Sequence, residues 1–243
     1  MSSTARGASR ENLDFYPTPG WCVDLLLGAL YAPERWIFPA MLPISDLLFL
    51  ECAAGDGAVI KRLLARGARS ENIDAIELDD ERAALCARST GVDVIVGDFT
   101  KPPPIQPPKA GFDLIVTNPP FALASDFARV ALGMAGDRGT VALLLRLNWL
   151  GSQDRAAFHR EHPSDILLLP KRPEFTASMS CSAKKQGCAY RETLPIEAPR
   201  PRDCPKCGAR TQCSTTDSIE YAWFVWGPGR GNRWQILPMP AHS

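Results

Sequence analysis

Asn118, Pro119, Pro120 and Phe121 bring one neutral amide and one aromatic ring to a single stiff turn. Each proline fixes φ and lacks an N–H, so the pair stops any strand that precedes it. Asn118 stays uncharged across ordinary pH, so it can hydrogen-bond but cannot act as a general base in the usual sense. A second group of residues has metal-ligand spacing. Cys204-Pro205-Lys206-Cys207-Gly208 separates two thiols by two residues, with a glycine for the turn that follows. Cys181 and Cys188 are the expected second pair for a zinc ion, and Cys213 is a rival ligand.

The elements that must position these residues read as strands alternating with helices. The apolar run Phe112-Asp113-Leu114-Ile115-Val116-Thr117 is a buried strand that ends at Asn118. Asp46 to Leu50 is an earlier strand. It leads into Glu51-Cys52-Ala53-Ala54-Gly55-Asp56-Gly57, a tight turn of small residues, and then a helix through Ile60, Leu63 and Leu64. Gly55 and Gly57 let the backbone come close to a ligand. Ile73 to Leu78 is the next strand. Glu77 stands roughly 20 residues beyond the glycine turn, where an acid meets ribose hydroxyls in nucleotide-binding α/β folds. Val92 to Val96 leads to Gly97-Asp98-Phe99, and the five prolines within 101–110 predict an irregular crossover. Thr140 to Leu147, Asp165 to Leu169 and Glu220 to Trp226 complete seven strands, and Trp234 to Leu237 adds a short edge. Arg146, Asn148 and Trp149 sit at the exit of the first of these, and His159 and His162 read as surface residues. Right-handed crossovers put the ends of parallel strands on one sheet edge, so the glycine turn, Glu77, Asp98 and Asn118 should converge there.

With 243 residues, 45% of them apolar, the chain can bury one large domain with a small insert. The boundaries read as 14–170 with 219–243 for the domain and 171–218 for the insert. Lys+Arg and Asp+Glu balance at 27 each, so no global charge advertises a nucleic-acid partner. The stretch 171–213 is different, with nine Lys or Arg against four acids. No signal peptide and no membrane-length apolar run are visible, and the eight cysteines read as thiols of a reducing cytoplasm.

This arrangement resembles the S-adenosylmethionine-dependent amino-methyltransferases, in particular the DNA adenine methyltransferases of bacteria and their phages. The resemblance covers 14–150, with Arg172-Pro173 and Glu220-Tyr221-Ala222-Trp223-Phe224-Val225-Trp226 similar to the C-terminal part of phage-encoded members. It implies a Rossmann-like mixed sheet of order 3-2-1-4-5-7-6 with the seventh strand antiparallel. Tyr16, Pro17 and Thr18 would line the methionine end of S-adenosylmethionine, with Gly55 and Gly57 beneath it. Glu77 would accept from the ribose hydroxyls, while Asp98 and Phe99 would hold the cofactor's adenine. Glu51, Ala53 and Leu78 complete the expected cofactor-facing set. Asn118 and the Pro119 carbonyl would grip the target amine, Pro120 would stiffen the corner, and Phe121 would stack on the base.

The implied partner is double-stranded DNA with the target base flipped out, in the cytoplasm of a prokaryote or a phage-infected host cell. The zinc insert would stand beside the pocket as a recognition element. Other acceptors carry the same planar amine: cytosine N4, structured RNA, or a glutamine side-chain amide. A non-catalytic zinc-dependent nucleic-acid-binding protein on the same fold is the alternative class.

Overall fold

Strands whose residues are apolar on both faces must be covered on both faces, and the central strands of this sheet are, while its two edge strands stay exposed. The computed structural model describes residues 17–31, 42–102, 104–181, 188, 190–195, 203–214 and 219–239. Tyr16 and the polar N-terminus lie outside the described residues. The main sheet is built from β1 (Phe49–Glu51), β2 (Ile73–Glu77), β3 (Val94–Val96), β4 (Leu114–Thr117), β5 (Thr140–Arg146) and β6 (Asp165–Leu168). After three insert strands, it is completed by β10 (Tyr221–Trp226) and β11 (Trp234–Ile236). The spatial order is β11-β6-β10-β5-β4-β1-β2-β3. This is the expected order with one addition. The sheet has eight strands rather than seven, because β11 pairs parallel to β6 through Trp234↔Ile166 and Ile236↔Leu168. β10 runs antiparallel between β5 and β6, with Tyr221 opposite Arg146 and Ala222 opposite Leu168.

The helices form two outer layers. α1 (Gly20–Leu30) and α2 (Ala58–Ala65) send Leu26, Leu30, Ile60 and Leu63 into a core with Phe49, Val116, Leu144 and Trp223. The Trp223 indole N–H donates to the Cys22 carbonyl at 2.9 Å, so the buried polar edge of the ring is satisfied. α3 (Asp80–Thr90) is capped by the Asp79 carboxylate, which accepts from the Arg82 amide. On the opposite face α4 (Ala124–Ala135) and α5 (Ala156–Glu161) bury Phe127, Ala131 and Phe158 against Ile115, Leu143 and Phe224. His159 is half-buried rather than on the surface, its ring 4.7 Å from that of Trp149, and burial lowers its pKa. His162 packs on Phe158.

At the start of β6 lies an ion network that apolar patterning does not show. Asp165 accepts from Arg230 Nη1 at 2.9 Å, the Gly231 amide at 3.0 Å and Arg233 Nε at 3.1 Å. It anchors the turn between β10 and β11.

The insert folds as its own three-stranded antiparallel sheet. β7 (Thr176–Cys181) lies between β8 (Arg191–Pro195) and β9 (Thr211–Ser214). Because β6 is parallel to β5 and β10 returns antiparallel, the insert leaves and rejoins the main sheet at the edge where Asn118 lies. Arg172 and Glu220 clasp its two ends across 2.7 Å.

Candidate functional site

The turn after β1 is shaped by two left-handed glycines, Gly55 at φ +54° and Gly57 at φ +85°. A side chain at either would be strained. Gly57 has a further constraint: a Cβ there would lie 2.7 Å from Thr90 and 3.0 Å from the Cys86 sulfur. Its small size therefore serves close packing against α3. Gly55 serves the site directly. Its amide donates to Glu77 Oε2 at 2.7 Å, and the Asp79 amide donates to Oε1 at 3.0 Å. The end of β2 thus carries a buried carboxylate held by two backbone amides.

Glu51 lies beneath the same turn and is 1% exposed. Burial pushes its carboxyl up to about 8; the nearby Thr117 hydroxyl and the Ala53 amide oppose the rise and Glu77 adds to it. Ala53 N donates to Oε1 at 3.1 Å. Oε2 and the neighbouring Thr117 hydroxyl have no hydrogen-bond partner of good geometry among the described residues. Glu51 thus sits deeper than the cofactor-facing position expected of it.

Asp98 accepts from the Thr100 hydroxyl at 2.7 Å and amide at 3.0 Å, while Lys101 reaches Oδ2 at 3.1 Å. The Thr100 hydroxyl and the Lys101 ammonium hold its pKa below the ordinary value. Phe99 is buried, its ring 5.2 Å from that of Phe127.

β4 ends at Thr117, and Asn118 follows at the mouth of the sheet. Pro119 is buried, Asn118 and Pro120 are half-exposed, and Pro120 (φ −52°, ψ 121°) leads into a short turn of helix over Phe121–Leu123. The Asn118 side-chain oxygen is buried. Phe121 packs 5.6 Å from the Tyr221 ring, and the Arg146 guanidinium lies 4.6 Å from its centroid.

A cleft of about 450 Å³ joins these groups. Its walls include Pro17, Thr18, Ala53, Gly55, Glu77, Leu78, Asp98, Phe99, Asn118 and Pro120. Glu51, Gly57, Pro119 and Phe121 are expected site residues that do not line it. Sequence reasoning missed Arg82, Leu123 and Phe127, which do line it. Leu123 and Phe127 follow the asparagine corner by helical spacing, and that periodicity was the available signal.

In the insert, the sulfurs of Cys181, Cys188, Cys204 and Cys207 all lie within 4.8 Å of one another. Cys181 and Cys207 are 3.4 Å apart, and Cys188 and Cys204 are 3.8 Å apart. A tetrahedral ion with metal–sulfur bonds of about 2.3 Å requires sulfurs about 3.8 Å apart, so the donor set fits zinc. Burial opposes, but the Lys206 and Cys207 amides outweigh it, and the Cys204 thiol is pulled down to about 7. The Cys213 side chain lies outside the described residues.

The sequence matches no family model and no curated protein. Solved structures do match the fold. A provisionally assigned RNA methyltransferase of Pyrococcus horikoshii superimposes with a TM-score of 0.53 at 17% identity, over 88% of this chain and 89% of that one. The methyltransferase subunit of a type I restriction-modification system from Streptococcus thermophilus gives 0.54 at 12% identity. That alignment takes in 92% of this chain and 47% of the subunit, about half its length. The chain therefore shares the Rossmann-like fold of these two structures. No described helix is long and apolar enough to cross a membrane.

Proposed function

We propose that this chain transfers a methyl group from S-adenosylmethionine to the exocyclic amine of a nucleobase, adenine in DNA being the preferred acceptor. One observation carries the reading: a single cleft runs from Glu77 and Asp98 to the asparagine corner. Its volume falls in the range of small-molecule sites. Its acceptor set suits a nucleoside, with a fixed carboxylate for a diol at Glu77 and a second carboxylate for an aromatic amine at Asp98. Thr18 stands at the same cleft for the amino-acid end.

S-adenosylmethionine supplies an electrophilic sulfonium methyl. The chain's task is then to prepare the nucleophile, since an aromatic amine shares its lone pair with its ring. Asn118 and the Pro119 carbonyl accept the two amine hydrogens and aim the nitrogen. Such placement is worth several kcal/mol. No general base is needed, because the amine's proton becomes acidic once the nitrogen is alkylated and passes to water. Phe121 supplies a stacking face, and base–aromatic stacking is worth about 1–3 kcal/mol against the cost of unstacking a flipped base.

In this reading Cys181, Cys188, Cys204 and Cys207 hold zinc, and the insert 171–218 is the recognition element attached to a catalytic unit of 14–170 and 219–243. The insert's attachment at the cleft edge and its excess of basic residues support that division. Incubation with labelled S-adenosylmethionine and duplex DNA, single-stranded DNA or RNA, followed by nucleoside mass spectrometry, tests the reading. N6-methyladenine in DNA is expected. Label confined to RNA or to cytosine corrects the acceptor, and label in no nucleic acid ends the proposal.

A further inference from the structure

The asparagine corner is a wall with a cavity on each side. Beyond Phe121 lies a second cavity of about 380 Å³, whose lining includes Arg146, Asn148, Trp149 and Arg155. Its lining holds two guanidiniums and no carboxylate. Neither arginine forms an ion pair among the described residues. Arg155 instead donates to the Trp149 carbonyl at 2.7 Å, and Arg146 Nε donates to the Tyr221 hydroxyl at 3.3 Å. Tyr221 faces Arg146 directly across the β5–β10 ladder, so the arginine's root is fixed while the residue as a whole stays half-exposed. That head group covers Phe121 at 4.6 Å. A flat cation thus occupies a ring face that a flat base would need. Such a contact is worth only about 0.5–1 kcal/mol at a partly exposed site, so a stronger anion contact displaces it.

We propose that this second cavity is a nucleotide subsite: Arg146 and Arg155 bind the backbone phosphate next to the acceptor base, and Arg146 leaves the Phe121 ring to do so. The inference rests on the nucleobase reading above and adds the substrate group that opens the stacking face. Phosphate entry and base entry then become one event, because the same guanidinium serves the first and blocks the second.

The test uses single-stranded oligodeoxynucleotides with the acceptor base, in which one flanking phosphate is replaced by a neutral methylphosphonate. With the wild-type protein, neutralising that linkage should raise KM about tenfold. With Arg146→Ala the same replacement should make a clearly smaller difference, with Arg146→Ala and Arg155→Ala combined less than a twofold one, and the slope of log affinity against log salt should shrink by about 0.7 for each arginine removed. Arg146→Lys, which keeps a charge and the aliphatic packing, should retain part of the phosphate effect even if the alanine variant is poorly folded. S-adenosylmethionine affinity should stay within twofold for both. A wild-type protein indifferent to every flanking methylphosphonate overturns the inference while leaving methyl transfer standing. So does an alanine variant with the full phosphate penalty. Absence of transfer to any nucleic acid by the wild type overturns the parent reading, and this subsite with it.

Discussion

The Gly55 amide donates to the Glu77 carboxylate across 2.7 Å, which ties the turn after β1 to the end of β2. The Asp79 amide takes the other oxygen. The carboxylate is thereby fixed in orientation before any ligand arrives. Glu77→Ala leaves two amides without their acceptor, at about 1–3 kcal/mol for a group that water cannot reach. S-adenosylmethionine affinity is expected to fall at least tenfold and the melting temperature to drop. Glu77→Gln retains one acceptor oxygen, so it should recover more of the stability than of the affinity. Calorimetric titration and thermal unfolding of both variants decide this; unchanged affinity in Glu77→Ala would remove Glu77 from the site.

Asn118 lines the same cleft as Glu77 but, in the proposed reading, meets the acceptor amine rather than the cofactor's ribose. Asn118→Ala should therefore cut the methyl-transfer rate by at least about a hundredfold, the scale lost with a single preorganised hydrogen-bonding group. Cofactor affinity should change by less than about threefold. Single-turnover kinetics with labelled cofactor separate the two quantities. Substantial turnover in this variant would take the amine-gripping role away from the corner.

Glu51 makes stability depend on pH in the unusual direction for an acid. Its carboxyl rises from an ordinary 4.5 to about 8, chiefly by burial. Between those values the native state holds a proton that the unfolded chain has lost, so stability falls as pH rises through that window. Below it the group is neutral in both states, and above it the penalty is complete, on the order of 5 kcal/mol. Glu51→Gln should flatten the slope between about pH 5 and pH 8. Denaturant unfolding at several pH values measures it, and an equal slope in both proteins would mean that other groups set it.

The strands of the main sheet were legible because each is a short apolar run that ends in turn residues, as at Thr117 and Asn118, whereas their order was implied only by the resemblance to amino-methyltransferases. The cleft was legible because strand ends in such a sheet converge by topology alone. Depth was not. Glu51 and Gly57 share the turn with Ala53 and Gly55, yet one is buried beneath it and the other packs on Thr90 and Cys86. Turn composition does not reveal which residues face inward. Cross-strand partners were also hidden: Arg146 meets Tyr221 because β10 inserts beside β5 from 75 residues away, and it meets Phe121 across the neighbouring ends of β4 and β5. The same insertion conceals the Asp165–Arg230 pair, since an aspartate that opens a strand looks like an ordinary solvated residue.

That pair is a stability determinant remote from the chemistry. Asp165 and the Arg230 side chain are both almost fully buried, at 5% and 3% side-chain exposure. Burial opposes ionisation of Asp165, but hydrogen bonds from Arg233, Gly231 and Arg230 outweigh it and lower the pKa. Its contribution is present above the ordinary aspartate range and is lost as pH falls below it. Arg230 Nε and Nη2 have no other partner among the described residues. Asp165→Asn should therefore cost about 3–5 kcal/mol by leaving a buried cation uncompensated. Adding Arg230→Met should restore much of that loss. Urea unfolding of the single and double variants checks it; a double variant no more stable than Asp165→Asn would show that the cation is not the source of the cost.

The cysteine cluster separates two roles for the insert that the same fold permits. Its sulfurs already lie close to tetrahedral zinc spacing, and Cys181 and Cys204 are buried, so the proposed ion would join β7 to the Cys204–Cys207 knuckle. A three-stranded sheet this small has little apolar area to hold it, and a metal supplies what the core does not. The purified protein should carry one zinc per chain by elemental analysis. Cys204→Ser should lose it and lower the melting temperature. Cofactor affinity should not change, because the cleft residues lie on the main sheet. Nucleic-acid affinity should drop at least about tenfold if the ordered insert meets phosphates at the cleft edge, and its salt dependence should weaken in step. A zinc-free variant that keeps both affinity and salt slope would reduce the insert to a structural staple. Recognition would then fall to the arginines beside Phe121.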